Sequence, residues 1–434
     1  MTDAHLQRGR RRLTATVTDL DVARQRAMLV ALAFGPRTVA DVEAGLDELA
    51  LLTETAGSEP VERAMQQRDP DSATYFGKGK TQELASMAKA LDIDVVVVDG
   101  SLSPVQQRNL QEAFGCDVVD RTALILDIFA QHAHSREGMA QVELALLRYR
   151  LPRLRGKGTV LSRLGGGIGT RGPGETQLET DRRKITQRIS TLERQLKDMQ
   201  TGRDTRRKAR RRSGLPTVAL VGYTNAGKSS LLNRLTDAGV LVENQLFSTL
   251  DATTRRLQLP GGRTALVSDT VGFVRDLPHE LVEAFRTTLE EAVETDLLVH
   301  VVDASSRHAE AQIAAVRATL AEIGAAEVPE VIVLNKSDLA SESDIARLSG
   351  RHSDALVVSA STGDGIAGLL EALEDRLAPA TVELDILIPY DRGDLVAEAH
   401  RIGEVLAETH ETGGTRLTVR IPSSEAEYFG SQTG

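Results

Sequence analysis

The chain has 434 residues, 41% of them hydrophobic and 26% charged, and a net charge of −10. That length exceeds one compact core and predicts two or three domains. No apolar run reaches the roughly 18 residues of a membrane helix, no apolar segment follows the arginines at 8 and 10–12, and the single cysteine, Cys116, excludes a disulfide framework and a cysteine metal cluster. A reducing cytoplasm fits this composition, and peripheral membrane association stays open. Aromatics make up 3% and Trp is absent, so stacking of bases on aromatic rings is excluded as a main binding mode.

In chain order, a polar, disordered tail is expected over 1–25. Met28–Ala33 then reads as a strand, Thr38–Ala50 as a helix opened by Thr38, and Leu51–Ala56 as a second strand. A helix follows over Lys80–Leu91, then a buried strand over Asp94–Val98. Ser103-Pro104 starts another helix that runs to Phe114, and Asp117–Asp120 is a short strand. The pattern predicts an α/β domain over 26–134 with a largely parallel sheet.

From Ala123 to about Met199 the pattern is mostly helical, broken by the glycine-rich stretch Arg163–Gly174. Glu179–Met199 carries Ile185, Ile189, Leu192 and Leu196 on one stripe. Two antiparallel helices joined by a basic loop are expected over 135–212. The glycine loop follows no strand and lacks Gly-Lys-Ser, so it is not read as a phosphate site. His132 and His134 have no further ligand nearby and are read as helix-surface residues.

The apolar run Thr217–Val221 leads into Gly222-Tyr-Thr-Asn-Ala-Gly-Lys-Ser229. This is a strand followed by the G-x-x-x-x-G-K-[ST] phosphate loop. Its turns aim backbone N–H groups at phosphate oxygens, Lys228 can reach the β and γ phosphates, and Ser229 offers a hydroxyl to Mg²⁺. A helix then begins at Ser230 and adds its N-terminal partial charge. Chance supplies four such near-fixed positions in roughly one chain of a hundred at this length.

Three further elements follow in order. Asp269-Thr-Val-Gly272 ends the strand Arg263–Ser268; its aspartate can hold Mg²⁺ through water, and Gly272 N–H can meet the γ-phosphate. Asn335-Lys336-Ser337-Asp338 ends the strand Glu330–Leu334. There a carboxylate at 338 can accept guanine N1–H and the exocyclic amine, which adenine does not offer. Lys336 can lie over the base and Asn335 can brace the site. Ser359-Ala360, after another short strand, brings the Ala360 N–H toward guanine O6. Alone, each of these is an ordinary turn; their order after the phosphate loop makes them a set.

The threonine-rich segment Leu246–Arg255 should supply a ligand to Mg²⁺, with Thr249 first and Thr253 second. After Gly272 comes Phe273, which cannot orient water, so slow intrinsic hydrolysis is expected. Asn225 could help hold K⁺ beside the phosphates, or merely tolerate a tight turn. The candidate set is thus Lys228, Thr249 and Gly272 for catalysis. Gly222, Asn225, Ala226, Gly227, Ser229, Ser230, Asp269, Asn335, Lys336, Asp338, Ser359 and Ala360 are read as nucleotide-binding, and Ser229 and Thr249 as metal ligands. This P-loop domain is placed at 213–379. Thr381–Pro389, a helix over Gly393–Ala407 and a strand over Thr415–Ile421 form a small α+β domain at 380–434.

Charge is uneven. Arg148–Arg212 holds 20 Lys+Arg against 6 Asp+Glu. A basic run is often just a solvated helix, but in an otherwise acidic chain it points to a polyanion. Its terminal cluster, Arg206–Arg212, suits phosphate contacts rather than base reading.

Tyr75-Phe-Gly-Lys-Gly-Lys80, Asp120-Arg-Thr122, Ile128-Phe-Ala-Gln131, Gln141-Val-Glu-Leu-Ala145 and Gly172–Arg183, beside the nucleotide elements, strongly resemble the HflX family of the Obg-HflX group. The resemblance spans about 26–425. It implies an N-terminal effector domain, a helical linker, a GTPase domain and a short C-terminal domain, with Mg²⁺ as cofactor. It also implies a protein that binds the large ribosomal subunit and splits or rescues idle or stalled ribosomes; a monomer without DNA specificity is expected. Two alternatives remain: a GTPase of large-subunit assembly, and an RNA-remodelling ATPase with an N-terminal ATP site, although no second Gly-Lys-Ser is present.

Overall fold

Runs of Val, Ala and Leu without polar interruption suit strands covered on both faces, and two such runs centre the N-terminal sheet. The computed structural model describes residues 24–154, 173–212, 215–236, 246–247, 253–275, 292–378, 381–422, 426 and 429. Strands β1 (Gln25–Ala33), β2 (Ser58–Gln67), β3 (Val95–Asp99) and β4 (Asp117–Asp120) pair in the order β2-β1-β3-β4, all parallel. Helices α1 (Val39–Thr55), α2 (Lys78–Ala90), α3 (Pro104–Phe114) and α4 (Arg121–His132) cover it. Alternate residues of β1 serve opposite faces. Leu29 and Ala31 pack with α1 and α4 through Leu46, Leu49, Ile125 and Phe129. Met28, Val30 and Leu32 pack with Phe76, Leu84 and Leu110.

Thr38 and Ser103 cap α1 and α3 as expected, each side chain accepting from the N–H three positions on and each backbone N–H donating back to that residue's side chain. The strand expected at Leu51–Ala56 is corrected: this segment is the last part of α1. Leu49 and Leu52 fall on its buried face, and Thr53 and Thr55 turn their hydroxyls back onto the carbonyls of Leu49 and Leu51 at 2.7 and 2.8 Å. The break comes at Gly57, in the left-handed region at φ 84°. The true strand, β2, is a polar edge strand containing Pro60.

Helix α5 (Arg136–Arg153), capped by Ser135, packs on α6 (Pro173–Arg212). Ala140, Leu144 and Leu147 meet Ile189, Leu192 and Leu196. Glu143–Arg188 and Arg148–Glu193 ion pairs flank this seam at 2.6 and 2.9 Å. Helix α6 is forty residues long, so the span expected for it, Glu179–Met199, is corrected outward at both ends. The glycine-rich stretch up to Gly172 and the tail at 1–23 lie outside the described residues.

The central sheet has the order β10-β9-β8-β5-β7-β6. Its strands are β5 (Thr217–Gly222), β6 (Thr253–Gln258), β7 (Thr264–Asp269), β8 (Leu297–Asp303), β9 (Glu330–Asn335) and β10 (Leu356–Val357). Among the described strands only β6 runs antiparallel to its neighbour. Helices α7 (Lys228–Thr236), α8 (Ala309–Glu322), α9 (Glu342–Arg351) and α10 (Ile366–Leu377) complete the α/β unit. The tail forms β11 (Thr381–Ile388), α11 (Gly393–Ile402), β12 (Glu404–Glu411) and β13 (Gly414–Pro422), an antiparallel sheet in the order β11-β13-β12. The helix expected over Gly393–Ala407 is therefore too long. It ends at Gly403, where a Cβ would stand 2.7 Å from the Arg420 carbonyl oxygen, and the chain enters β12. The fold class is multidomain α/β, with a P-loop domain between an N-terminal α/β domain plus helical region and a small α+β domain.

The N-terminal and P-loop units share a core. Leu246, Phe247, Val271 and Val274 are buried in the same cluster as Leu46, Leu49, Leu52 and Phe129. Among the described residues no helix is long and apolar enough to cross a membrane.

Candidate nucleotide site

Central strand β5 delivers the loop 222–229 between β7 and β8, at the carboxyl ends of the parallel strands where α/β folds bind ligands. Three of its residues have positive φ, Gly222 at 151°, Asn225 at 58° and Gly227 at 92°. Asparagine tolerates the left-handed region, so Asn225 can hold the turn with or without an ion beside it. Position 227 excludes a side chain for a second reason: a Cβ would lie 2.3 Å from Asn335 Nδ2. Lys228 is buried and donates to the carbonyls of Gly222 and Tyr223 at 3.1 and 2.9 Å. Burial pulls its pKa down from 10.5 to about 8, against the attraction of Asp269.

Ser229 donates to Asp269 Oδ2 at 2.7 Å. The two groups that the sequence reading set beside magnesium thus come together, one at the start of α7 and one at the end of β7. Thr270 ties its hydroxyl to the Leu220 carbonyl at 2.7 Å. Gly272 lies against the loop: a Cβ there would stand 2.8 Å from Thr224 Cγ2 and 3.2 Å from Lys228 Nζ. Phe273 turns into the core with Val221, Tyr223 and Leu298, while its main chain bonds Gly222 O and Thr224 N at 3.1 and 2.7 Å. Thr249 lies outside the described residues. Thr253 is the first residue of β6, opposite Asp269 in the sheet register.

The second half of the site gathers around Asn335. Its side-chain amide donates to the Ala226 carbonyl at 2.8 Å and accepts from the Ala360 N–H at 3.0 Å. One buried side chain therefore spaces the phosphate loop from the loop after β10. Asp338 receives Ser359 Oγ at 2.7 Å and Ser361 Oγ at 3.0 Å. The Ser359 bond holds its carboxyl below the usual range against desolvation, with a lesser pull from Ser361. Lys336, at φ 60°, pairs with Asp303 at 2.8 Å.

Gly227, Ser230, Arg234, Asn335, Lys336 and Asp338 are among the residues that line a cleft of about 510 Å³. Sequence reasoning missed Asp303, Ser361 and Arg234. Arg234 donates to the Ala360 carbonyl at 2.9 Å from α7 and so props the same loop. An acid ending the apolar strand β8 was the available signal for Asp303. Nothing local marks Arg234.

Four family models match in succession: "GTP-binding GTPase N-terminal" at 43–130, "GTP-binding GTPase Middle Region" at 132–210, "50S ribosome-binding GTPase" at 217–336 and "HflX C-terminal domain" at 344–434. The chain is 46% identical over 415 residues to GTPase HflX of Lacrimispora saccharolytica, covering 95% of this chain and 96% of the relative. The chain belongs to the HflX family of GTPases. GTPase HflX of Escherichia coli is 43% identical over 381 residues, covering 87% of this chain and 89% of the relative. Among solved structures, a GTP-binding protein from Sulfolobus solfataricus in complex with GDP aligns with TM-score 0.44 and 23% identity, over 81% of this chain and 98% of that one. As an HflX GTPase the chain binds GTP and GDP and hydrolyses GTP.

Proposed function

We propose that this HflX-family GTPase binds the large ribosomal subunit and splits or rescues idle or stalled ribosomes in a GTP-dependent manner. The observation that carries the reading is the forty-residue helix α6, whose last turns hold Arg206-Arg207-Lys208 and Arg210-Arg211-Arg212 in a chain of net charge −10. Such a basic rod on an acidic protein suits a phosphate backbone. The match to a model described as a 50S ribosome-binding GTPase supports the same partner. For the division of labour we keep 26–134 as effector domain, 135–212 as basic linker, 213–379 as GTPase domain and 380–434 as C-terminal domain.

In this reading Asp338 accepts the two guanine donors, Lys336 covers the base under the hold of Asp303, and Ala360 N–H meets O6. Lys228 leaves its carbonyl partners for the β and γ phosphates, and Gly272 N–H bonds the γ-phosphate until cleavage removes it. The Ser229 hydroxyl and Asp269 carboxylate, 2.7 Å apart, are hard oxygen donors that fit Mg²⁺; Thr249 would be the other direct ligand. When bound, Mg²⁺ neutralises charge on the phosphate oxygens. Water attacks in line, and Phe273 offers it no acceptor. Asn225 would orient K⁺ to supply further charge.

The test is GTP turnover with and without purified large subunits across a salt series. Turnover should rise with subunits, and the rise should collapse steeply with salt. No stimulation at low salt defeats the reading. Density-gradient analysis of intact ribosomes with GTP then separates splitting from a role in subunit assembly.

A further inference from the structure

Tyr223 occupies a variable position of the phosphate loop, yet its hydroxyl leaves the GTPase domain. It donates to Glu48 Oε1 of α1 at 2.7 Å and accepts the Arg275 N–H at 2.7 Å. The other oxygen of Glu48 lies 2.7 Å from Arg121 Nη2, and Arg121 Nη1 donates to Asp99 Oδ1 at 3.0 Å. Asp99 ends β3 and Arg121 opens α4. Arg121 and Asp99 are both buried, so the chain of contacts is shielded from water along most of its length. It runs from the carboxyl edge of the N-terminal sheet, across the domain boundary, to the peptide three residues beyond Gly272. Arg275 adds a second tie from Nη1 to the Asp41 carbonyl of α1 at 3.0 Å. Val271 and Val274, on either side of Gly272, are buried in the N-terminal core.

We propose that Tyr223 and Glu48 are positioning residues for the 269–275 segment, through which the N-terminal domain sets how strongly the site prefers GTP over GDP. Glu48 fixes the phenol proton, so the remaining lone pairs of the Tyr223 oxygen face the Arg275 N–H. That bond holds the segment carrying Gly272 against the phosphate loop. The γ-phosphate of GTP gains from a segment already held there; GDP, which lacks that phosphate, does not. The proposal rests on reading Gly272 as the γ-phosphate contact.

Tyr223→Phe removes one oxygen and leaves the main-chain carbonyl that receives Lys228 untouched. Glu48→Met removes the phenol's acceptor at similar length. Full-length variants are titrated with a non-hydrolysable GTP analogue and with GDP. Each should weaken the analogue roughly five- to tenfold and GDP less than about twofold, and the double variant should be no worse than the poorer single one, because both act through one chain of bonds. Hydrogen exchange in the peptide spanning 269–275 should quicken in Tyr223→Phe. Equal losses for both nucleotides, no loss, or losses that add would overturn the proposal, and either variant alone decides should the other not fold. Gly272→Ala separates the two readings. If it leaves analogue affinity intact, the γ-phosphate role of Gly272 fails; if it weakens the analogue while Tyr223→Phe does not, only the positioning chain fails.

Discussion

Phe129 of the N-terminal domain and Phe247 of the GTPase domain meet edge to edge-on face, their ring centroids 4.6 Å apart and their planes at 73°. Both are fully or almost fully buried, so Phe247, at the start of the threonine-rich segment, is anchored in the core of another domain. Phe129→Ala deletes that contact and opens a cavity, and should cost about 3–5 kcal/mol. Denaturant unfolding of the full chain measures it. A loss below about 1 kcal/mol would mean that the two domains do not share a cooperative core.

Lys228 gives the site a pH dependence. Burial lowers its pKa from 10.5 to about 8, so between those values the unfolded chain holds a proton that the folded chain has released. Folding stability from this group therefore rises as pH climbs through that window. Nucleotide binding runs the other way, because phosphate favours the ammonium form. GTP affinity should fall as pH rises above about 8, with proton uptake detectable by calorimetry in buffers of different ionisation enthalpy. Affinity that stays flat to pH 9.5 or so would contradict the burial argument.

Asp338 should carry guanine selectivity. Asp338→Asn replaces one acceptor by a donor facing the base and should lower GTP affinity by roughly 100-fold or more while improving binding of xanthosine triphosphate. Competition against a fluorescent guanine nucleotide reads both.

Asn335→Ala would strand two buried main-chain groups, the Ala226 carbonyl and the Ala360 N–H. Each costs about 1–3 kcal/mol when unpaired. The expected result is a lower melting temperature together with weaker binding of GTP and GDP alike, since the residue braces both loops. Selective loss of one nucleotide would point to a different role.

The ion role of Asn225 is checked by comparing turnover in K⁺ and in Na⁺ at constant ionic strength. Faster hydrolysis in K⁺, lost in Asn225→Ala, is expected; equal rates retire the ion.

Much of the site was legible because its motifs are local. Gly-Lys-Ser after a strand, Asp-x-x-Gly, Asn-Lys-x-Asp and Ser-Ala each place a side chain or amide by sequence spacing alone, and Thr38, Ser103 and Pro104 announced helix starts. The errors came where tertiary context decides. Leu51–Thr55 is apolar and threonine-rich, as strands are, yet its hydroxyls are satisfied within a helix. Ser58–Gln67 looks polar, yet it is an edge strand. Tyr223 and Glu48 are 175 residues apart, and no periodicity links them. Asp303 and Arg234 act on residues distant in sequence for the same reason.

The shared core has a consequence for synthesis. The faces of α1 and α4 that receive Leu246, Phe247, Val271 and Val274 are made well before those residues exist. At ribosomal speeds of roughly 5–20 residues per second, these faces stay bare to the cellular milieu for on the order of ten seconds. A nascent chain halted between the two halves would carry a sticky, unfinished surface, and chaperone capture should concentrate on that interval.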